Sequence, residues 1–218
     1  MTVDPKRVLV VEDHQLFRGL ITHLCEQQNE VTVVAEAGDG KQALELASVE
    51  KPDLVILDLK LPDTDGFTVA EELAAALPGV RILAVSGYLT PYIVKLAEDA
   101  PIHGLLDKVS EPVENLLKAI HQVAGRQEYF SPCFLEIRNE LRANGNSFAK
   151  ILSRREQDLM CYLGRGDSNQ AIARQLEISP KTVQTHRHNI MKKLGIRDTP
   201  TLMNFARMQG FTVFDSPK

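Results

Sequence analysis

Residues 54–58 read Leu-Val-Ile-Leu-Asp, four apolar residues in a row that end at an acid. Strands that are covered on both faces of a sheet show such near-continuous apolar runs, without polar alternation. Helical patterns separate this run from four others, and a regular strand–helix alternation predicts an α/β doubly wound parallel sheet of five strands. The other four runs are Val8–Val11, Val31–Ala35, Ile82–Val85 and Gly104–Leu106.

Capping signals place the helices between and after these strands at roughly residues 14–27, 41–49, 67–77, 92–99 and 112–124. We therefore assign residues 1–124 to a first domain. The alternation of strand and helix patterns ends before residues 125–149, which we interpret as a partly helical linker. Within it, Ser131-Pro132 has the form of a helix start and predicts a short helix that runs to Leu141.

From residue 150 to residue 218 every pattern is helical, which predicts a second, all-α domain of four helices. Ser153 and Glu156 have the spacing of a capping box. Ser179-Pro180 gives the start of the third helix of this domain, and Thr199-Pro200 repeats that signal for the fourth.

Composition excludes several classes of protein. The chain has 218 residues, of which 44% are hydrophobic and 25% charged, as in ordinary globular proteins. No apolar run is long enough to span a membrane, and the first residues lack the apolar core of a signal peptide, so we expect a cytoplasmic protein without membrane contact. The three cysteines lie far apart in the sequence, and we expect reduced thiols.

Charge is divided unevenly along the chain. Residues 1–130 contain 11 Lys and Arg against 21 Asp and Glu, whereas residues 131–218 contain 14 against 8. An acidic half joined to a basic half indicates that only the second half binds nucleic acid. The alternative is that both halves carry ordinary solvated surfaces, and charge alone leaves it open.

Acidic residues follow two of the predicted strands. Glu12 and Asp13 come directly after the first strand, and Asp58 ends the third. Carboxyl ends of parallel strands meet at one edge of a doubly wound sheet, so these three acids converge there. Their mutual repulsion favours a bound hard cation, and Mg²⁺ accepts such oxygen ligands.

A hydroxyl and an ammonium complete this edge, because Ser86 ends the fourth strand and Lys108 follows the fifth. Taken singly, each residue has a plain structural explanation as a cap, a turn residue or a solvated charge. Together they have the chemistry of a phosphoryl-transfer site in which Asp58 is the nucleophile and the cations stabilise anionic oxygens.

The third helix of the second domain combines an apolar stripe with a basic, polar face. Val183, Ile190 and Leu194 recur at helical spacing and form the stripe. A helix of this kind fits the major groove of double-stranded DNA. We predict DNA contacts by Lys181, Thr182, Gln184, Thr185, His188, Lys192 and Lys193. The alternative, a solvated helix in a protein-binding bundle, stays open.

Several motifs of the first domain resemble the receiver domains of response regulators. They are Val-Leu-Val-Val-Glu-Asp-His at 8–14, Asp-Leu-Lys-Leu-Pro-Asp-Thr-Asp-Gly at 58–66, Ala-Val-Ser-Gly at 84–87 and Gly-Leu-Leu-Asp-Lys at 104–108. The resemblance implies a flavodoxin-like fold in which Asp58 accepts a phosphoryl group from a sensor histidine kinase. It implies that Asp13, Asp58 and the backbone carbonyl of Lys60 bind Mg²⁺, with help from Glu12, and that Ser86 and Lys108 contact the phosphoryl group.

One position departs from the receiver pattern. Many receivers have Tyr or Phe three residues before the final Lys, where the ring rotates on activation, and this chain has Leu105 there. The aromatic side chain that rotates in those receivers is therefore missing from this chain.

The second domain resembles the LuxR-type helix-turn-helix, on the motifs at residues 152–156, 166–173 and 178–190. A receiver followed by this module is the arrangement of the NarL/FixJ family of transcription regulators. Family members use the third helix for DNA and the fourth for dimerisation, which implies a dimer face at Leu202, Phe205 and Ala206. The same three residues fit equally well into the core of the domain itself.

We therefore expect a phosphorylation-controlled transcription factor that acts on DNA as a homodimer and is not an enzyme. Two alternatives remain: a phosphatase or phosphotransferase that uses Asp58 catalytically, and a constitutive DNA-binding or protein-binding module whose receiver is only a dimerisation scaffold.

Overall fold

A computed structural model describes residues 4–214 of the chain. These residues divide into two compact units. The first takes the residues up to Leu89 together with Leu96–Leu135, and the second takes Thr90–Lys95 with the residues from Glu136 onward. The outer ends of the two predicted domains, residues 1–3 and 215–218, lie outside the described residues.

The first unit contains a parallel sheet in the strand order β2-β1-β3-β4-β5-β6. Every predicted apolar run forms a strand, extended by up to two residues, and the α/β doubly wound class is confirmed. All five residues of the central strand β3 are buried, as its unbroken apolar run predicts. The strands are β1 (Lys6–Val11), β2 (Val31–Ala37), β3 (Leu54–Asp58), β4 (Arg81–Ser86), β5 (Gly104–Asp107) and β6 (Tyr129–Phe130).

Helices connect these strands, and each begins and ends within about two residues of its predicted bounds. Side chains of α1 and α5 pack together with alternate residues of β1, β3 and β4 in one buried cluster, which includes Ile21, Leu24, Ile56 and Ile120. The helices are α1 (Gln15–Glu26), α2 (Gly40–Glu50), α3 (Gly66–Ala76), α4 (Pro91–Asp99) and α5 (Val113–Ala124).

The predicted number of strands is wrong, because the sheet has a sixth strand. β6 comes from the segment that we interpreted as linker, and it pairs in parallel with Gly104 and Leu105 of β5. The pairing needs the glycine, since a Cβ at position 104 would lie 2.6 Å from the carbonyl oxygen of Tyr129. Two residues are too few to show a periodic pattern, so the sequence carried no signal for this strand.

Two helices follow β6. The predicted linker helix exists as α6 (Pro132–Ala143), and a single further turn, α7 (Phe148–Ile151), was not predicted. Phe134 of α6 and Phe148 of α7 are almost fully buried, so both helices contribute side chains to the protein interior.

The second unit contains the four predicted helices. The capping signals at Ser153 and Ser179 are confirmed, but the residue that caps α11 is Asp198 and not Thr199, which is already the first residue of the helix. Ser153 and Glu156 form a reciprocal capping box at the start of α8. Ser179 caps α10 with Pro180 in its first turn. The bounds are α8 (Arg154–Arg165), α9 (Asn169–Gln175), α10 (Pro180–Leu194) and α11 (Thr199–Met208).

The three cysteines are free thiols, with Cys25 and Cys161 buried and Cys133 half-buried. Burial raises the pKa of both Cys25 and Cys161 to about 11, which keeps these thiols protonated. None of the helices within residues 4–214 combines the length and apolar character needed to cross a membrane.

Candidate functional site

The three predicted acids meet at the carboxyl edge of the sheet. Glu12 and Asp13 follow β1, Asp58 ends β3, and each offers a carboxylate oxygen within 4.8 Å of the others. Glu12 and Asp58 are buried, whereas Asp13 is exposed. Three converging carboxylates, one of them open to solvent, form a donor set that fits Mg²⁺, which retains several of its waters.

The ammonium group of Lys108 bridges two of these acids. Its Nζ lies 2.5 Å from Oε2 of Glu12 and 2.8 Å from Oδ2 of Asp58. Burial raises the pKa of Glu12, and the charge of Asp58 adds to this rise, while the hydrogen bond from Lys108 opposes it. The pKa of Glu12 is raised overall, so the lysine compensates only part of the cost of burying two neighbouring carboxylates.

Hydrogen bonds fix the orientation of the Asp58 carboxylate. Its Oδ1 accepts from the backbone N–H of Lys60 at 3.0 Å, and its Oδ2 accepts from Lys108. The chain then folds back so closely that a Cβ at Gly66 would lie 2.3 Å from the carbonyl oxygen of Asp58. The turn after β3 therefore depends on a glycine at position 66.

Ser86 lies at the predicted edge, at the end of β4, but its hydroxyl group bonds to its own loop. The hydroxyl oxygen accepts from the N–H of Tyr88 at 3.1 Å and donates to the carbonyl of Tyr88 at 3.0 Å. The ammonium of Lys60 lies 5.4 Å from the centre of the Tyr88 ring, above the same loop.

Two residues of α1 border the pocket without having been predicted. The Phe17 ring has its centroid 4.9 Å from Nζ of Lys108, and Arg18 donates from Nη1 to the carbonyl oxygen of Glu12 at 2.5 Å. Both contacts join residues on different elements of the fold. The sequence of α1 shows only helical spacing, which does not indicate which residues outside the helix Phe17 and Arg18 contact.

The predicted DNA-contacting residues lie along α10, and most of them are exposed. Thr182 is half-buried, and its hydroxyl bonds to Ser179 at 2.8 Å. The opposite stripe is confirmed at Val183 and Ile190, which are fully buried, whereas its third predicted member, Leu194, is only half-buried. The exposed members are Lys181, Gln184, Thr185, His188, Lys192 and Lys193.

Lys193 differs from its neighbours on α10 because its ammonium is engaged within the domain. Its Nζ lies 2.6 Å from Oε2 of Glu156, the acid of the α8 capping box. Burial raises the pKa of Glu156, but hydrogen bonds from Lys193 and Ser153 outweigh burial and lower it overall. Lys193 thus ties α10 to α8 in addition to the DNA contact predicted for it.

The three residues considered for a dimer face lie on α11. Leu202 and Ala206 are fully buried, and Phe205 is half-buried. α11 packs on α8, where a Cβ at Gly164 would lie 3.0 Å from the Cβ of Ala206. Leu202 and Ala206 thus fill the core of their own unit, in agreement with the alternative interpretation.

Two protein families match this chain. The family described as "Response regulator receiver domain" matches residues 8–121, and the family described as "Bacterial regulatory proteins, luxR family" matches residues 150–206. The first match covers nearly all of β1–β5 and the acidic edge but not β6, and the second covers α8–α10 and most of α11. The chain belongs to the response regulators. With its LuxR-type module it is a transcription regulator of the NarL/FixJ type and not an enzyme.

Known proteins are similar over almost the whole length of the chain. It is 30% identical over 203 residues to the response regulator protein VraR of Staphylococcus saprophyticus, covering 93% of this chain and 96% of that protein. The solved structure of ChrA, a response regulator in a heme-sensing two-component system, is 29% identical with a TM-score of 0.55 and covers 96% of this chain and all of that one.

A second solved structure supports the fold alone, at 24% identity and a TM-score of 0.68. It is RcsB from Salmonella enterica serovar Typhimurium, bound to promoter rprA in the presence of the phosphomimetic BeF3−. The similarity covers 93% of this chain and 98% of that chain.

Proposed function

We propose that Asp58 accepts a phosphoryl group from a sensor histidine kinase, and that this modification controls dimerisation and DNA binding through α10. The observation that carries the proposal is the setting of Asp58, whose carboxylate is held between the N–H of Lys60 and the ammonium of Lys108, beside Glu12 and Asp13.

In the proposed step, an oxygen of the Asp58 carboxylate attacks the phosphorus of a phosphohistidine. The new O–P bond forms as the P–N bond breaks, and the electron pair of the broken bond returns to the imidazole of the kinase. The product is an acyl phosphate on Asp58. Lys108 already donates to Asp58 and is in reach to stabilise the phosphoryl oxygens, and Ser86 needs only to release its bonds to Tyr88.

Mg²⁺ is the proposed cofactor, held by Asp13, Asp58 and the backbone carbonyl of Lys60, with Glu12 assisting. The close approach of three carboxylate oxygens fits such a hard cation. When bound, it would neutralise charge on the transferring phosphoryl group.

Double-stranded DNA is the proposed partner of the second unit. Gln184, Thr185 and His188 are exposed on one face of α10, opposite the buried Val183 and Ile190, and we assign them to base contacts. The cationic residues Lys181, Lys192 and Lys193, with Thr182, are assigned to the phosphates, which position a protein without specifying sequence. RcsB, a relative in fold, is named as bound to a promoter. The DNA of bacteria lies in the cytoplasm, so the proposal also has this protein act there.

Homodimerisation is proposed to involve α11, through other side chains than the Leu202, Phe205 and Ala206 face that the family resemblance implies. Leu202 and Ala206 are committed to the core, so a partner would meet the exposed side of the helix, which includes Asn204 and Met208. Met208 is 71% exposed, so it offers an apolar side chain on that side of the helix.

The constitutive scaffold is the second candidate function, and Leu105 favours it. This residue is fully buried in β5 and has no ring that could rotate. We therefore expect beryllofluoride, a mimic of the phosphoryl group, to shift dimerisation only modestly, by about tenfold or less in Kd, since a modification moves an equilibrium only by its differential interaction with the two states.

Light scattering on the full chain with and without beryllofluoride measures the shift in dimerisation. Titration with promoter DNA, recovered by genome-wide pull-down, measures the effect of beryllofluoride on DNA affinity. Unchanged DNA affinity would support the scaffold over phosphorylation control. A complete monomer-to-dimer switch would show that another element replaces the missing ring.

A further inference from the structure

The ammonium group of Lys108 has a third neighbour besides its two acids. Glu12 and Asp58 accept its hydrogen bonds, and the ring of Phe17 has its centroid 4.9 Å from Nζ. The lysine side chain as a whole is only 15% exposed, so water reaches little of it.

This distance lies within the range of a cation–π interaction, in which the negative face of the ring attracts the cation. Such an interaction is stronger where water is excluded, as it largely is at Lys108. The lysine side chain is long and flexible, and its rotamer freedom is large when nothing restrains it. Two carboxylates restrain the ammonium through its N–H bonds, and the ring adds a third contact.

We propose that Phe17 is a positioning residue for phosphoryl transfer, which acts by holding the Lys108 ammonium at Oδ2 of Asp58. This inference rests on the proposed function of Asp58. The charge that must stabilise the incoming phosphoryl oxygens is then in place before the reaction begins, which lowers the cost of organising the site. In this role Phe17 acts through Lys108 and takes no part in the bond changes.

The competing explanation is that Phe17 only fills space. It is half-buried and packs against the cluster that holds Ile21 and Leu24 of the same helix. A purely structural residue would affect the stability of α1 packing, and the rate of phosphorylation would follow stability. A test must therefore change the electronic character of the ring while its shape is kept.

The experiment uses the full chain with phenylalanines of increasing fluorination at position 17, together with Phe17→Leu and Phe17→Tyr. Fluorination weakens the negative face of the ring with little change in volume. Ile21→Val is the matched control, because Ile21 lies on the same helix in the buried cluster that Phe17 packs against, and it carries no ring. Two quantities are measured: the rate of phosphorylation by acetyl phosphate with Mg²⁺, by intact mass, and the NMR shifts of the Lys108 Cε protons, assigned by their loss in Lys108→Met.

We expect the rate to fall stepwise with fluorination and by about three- to tenfold in Phe17→Leu. Phe17→Tyr should restore at least half of the rate, and Ile21→Val should lose stability at an unchanged rate. The upfield ring-current shift of the Lys108 protons should vanish in Phe17→Leu. In a Lys108→Met background, Phe17→Leu should have no further effect on the rate.

Equal rates across the fluorinated series, or an effect of Phe17→Leu that persists in Lys108→Met, would overturn the inference. A wild-type chain that takes up no phosphate would instead refute the proposed function of Asp58. In that case the NMR shift alone still decides whether the ring holds the lysine.

Discussion

Asp58→Asn is expected to abolish phosphorylation of the full chain by acetyl phosphate and Mg²⁺. Asp58 ends the central strand β3, and both of its carboxylate oxygens are already oriented by Lys60 and Lys108. An amide at this position keeps the shape of the side chain but removes the nucleophilic oxygen. Intact-mass measurement should show one added phosphate on the wild-type chain and none on the variant.

Asp13→Asn is the matched control for this experiment. Asp13 belongs to the same acidic group but is exposed and receives no bond from Lys108 in the structure, so we assign it to the metal and not to the transfer. Its variant should still accept one phosphate, with a higher Mg²⁺ requirement. Persistent modification of Asp58→Asn would reject Asp58 as the sole phosphoacceptor.

Gln184→Ala should weaken binding to the specific promoter by about 1–3 kcal/mol and relax the preference at one base pair. Gln184 is exposed on α10, on the face opposite the buried Val183 and Ile190, and we propose that this face meets the base edges. The loss arises because a donor and acceptor pair matched to one base is removed, while contacts to the phosphates remain.

Lys192→Ala provides the contrast, because a phosphate contact carries no sequence information. This variant should bind all sequences more weakly and reduce the slope of log K against log salt by about 1. Lys192 suits the comparison better than Lys193, whose ammonium is also bonded to Glu156. Titrations of both variants on promoter and scrambled DNA at several salt concentrations separate the two roles. Equal weakening on both DNAs by Gln184→Ala would show that the reading face lies elsewhere.

Much of the fold was predictable because local patterns and the global structure agree. The apolar runs form β1–β5, and the capping signals at Ser153 and Ser179 set the starts of α8 and α10. The strand β6 was not predictable, because Tyr129 and Phe130 owe their strand conformation to the open edge of β5 and not to any pattern of their own.

The residue types at the acidic site were predictable, because the carboxyl ends of the strands of a doubly wound sheet meet at one edge whatever conformation the loops adopt. The bridge from Lys108 to Glu12 and Asp58 follows from that topology. The ring of Phe17 beside Lys108 does not, because it depends on how α1 is rotated against the sheet. For the same reason, helical spacing alone did not decide whether Leu202 faces a partner or the core of its own unit.

The sixth strand has a consequence for self-association. An outer strand with unpaired N–H and carbonyl groups is a template on which another chain can add a strand. The backbone N–H groups of Tyr129 and Ser131 bond instead to the carbonyls of His103 and Leu105, at 3.2 and 3.0 Å. The segment that leads to the second unit thus covers this edge of the sheet, and while β6 stays paired, Gly104 and Leu105 of β5 are not available to pair with a strand of a second copy.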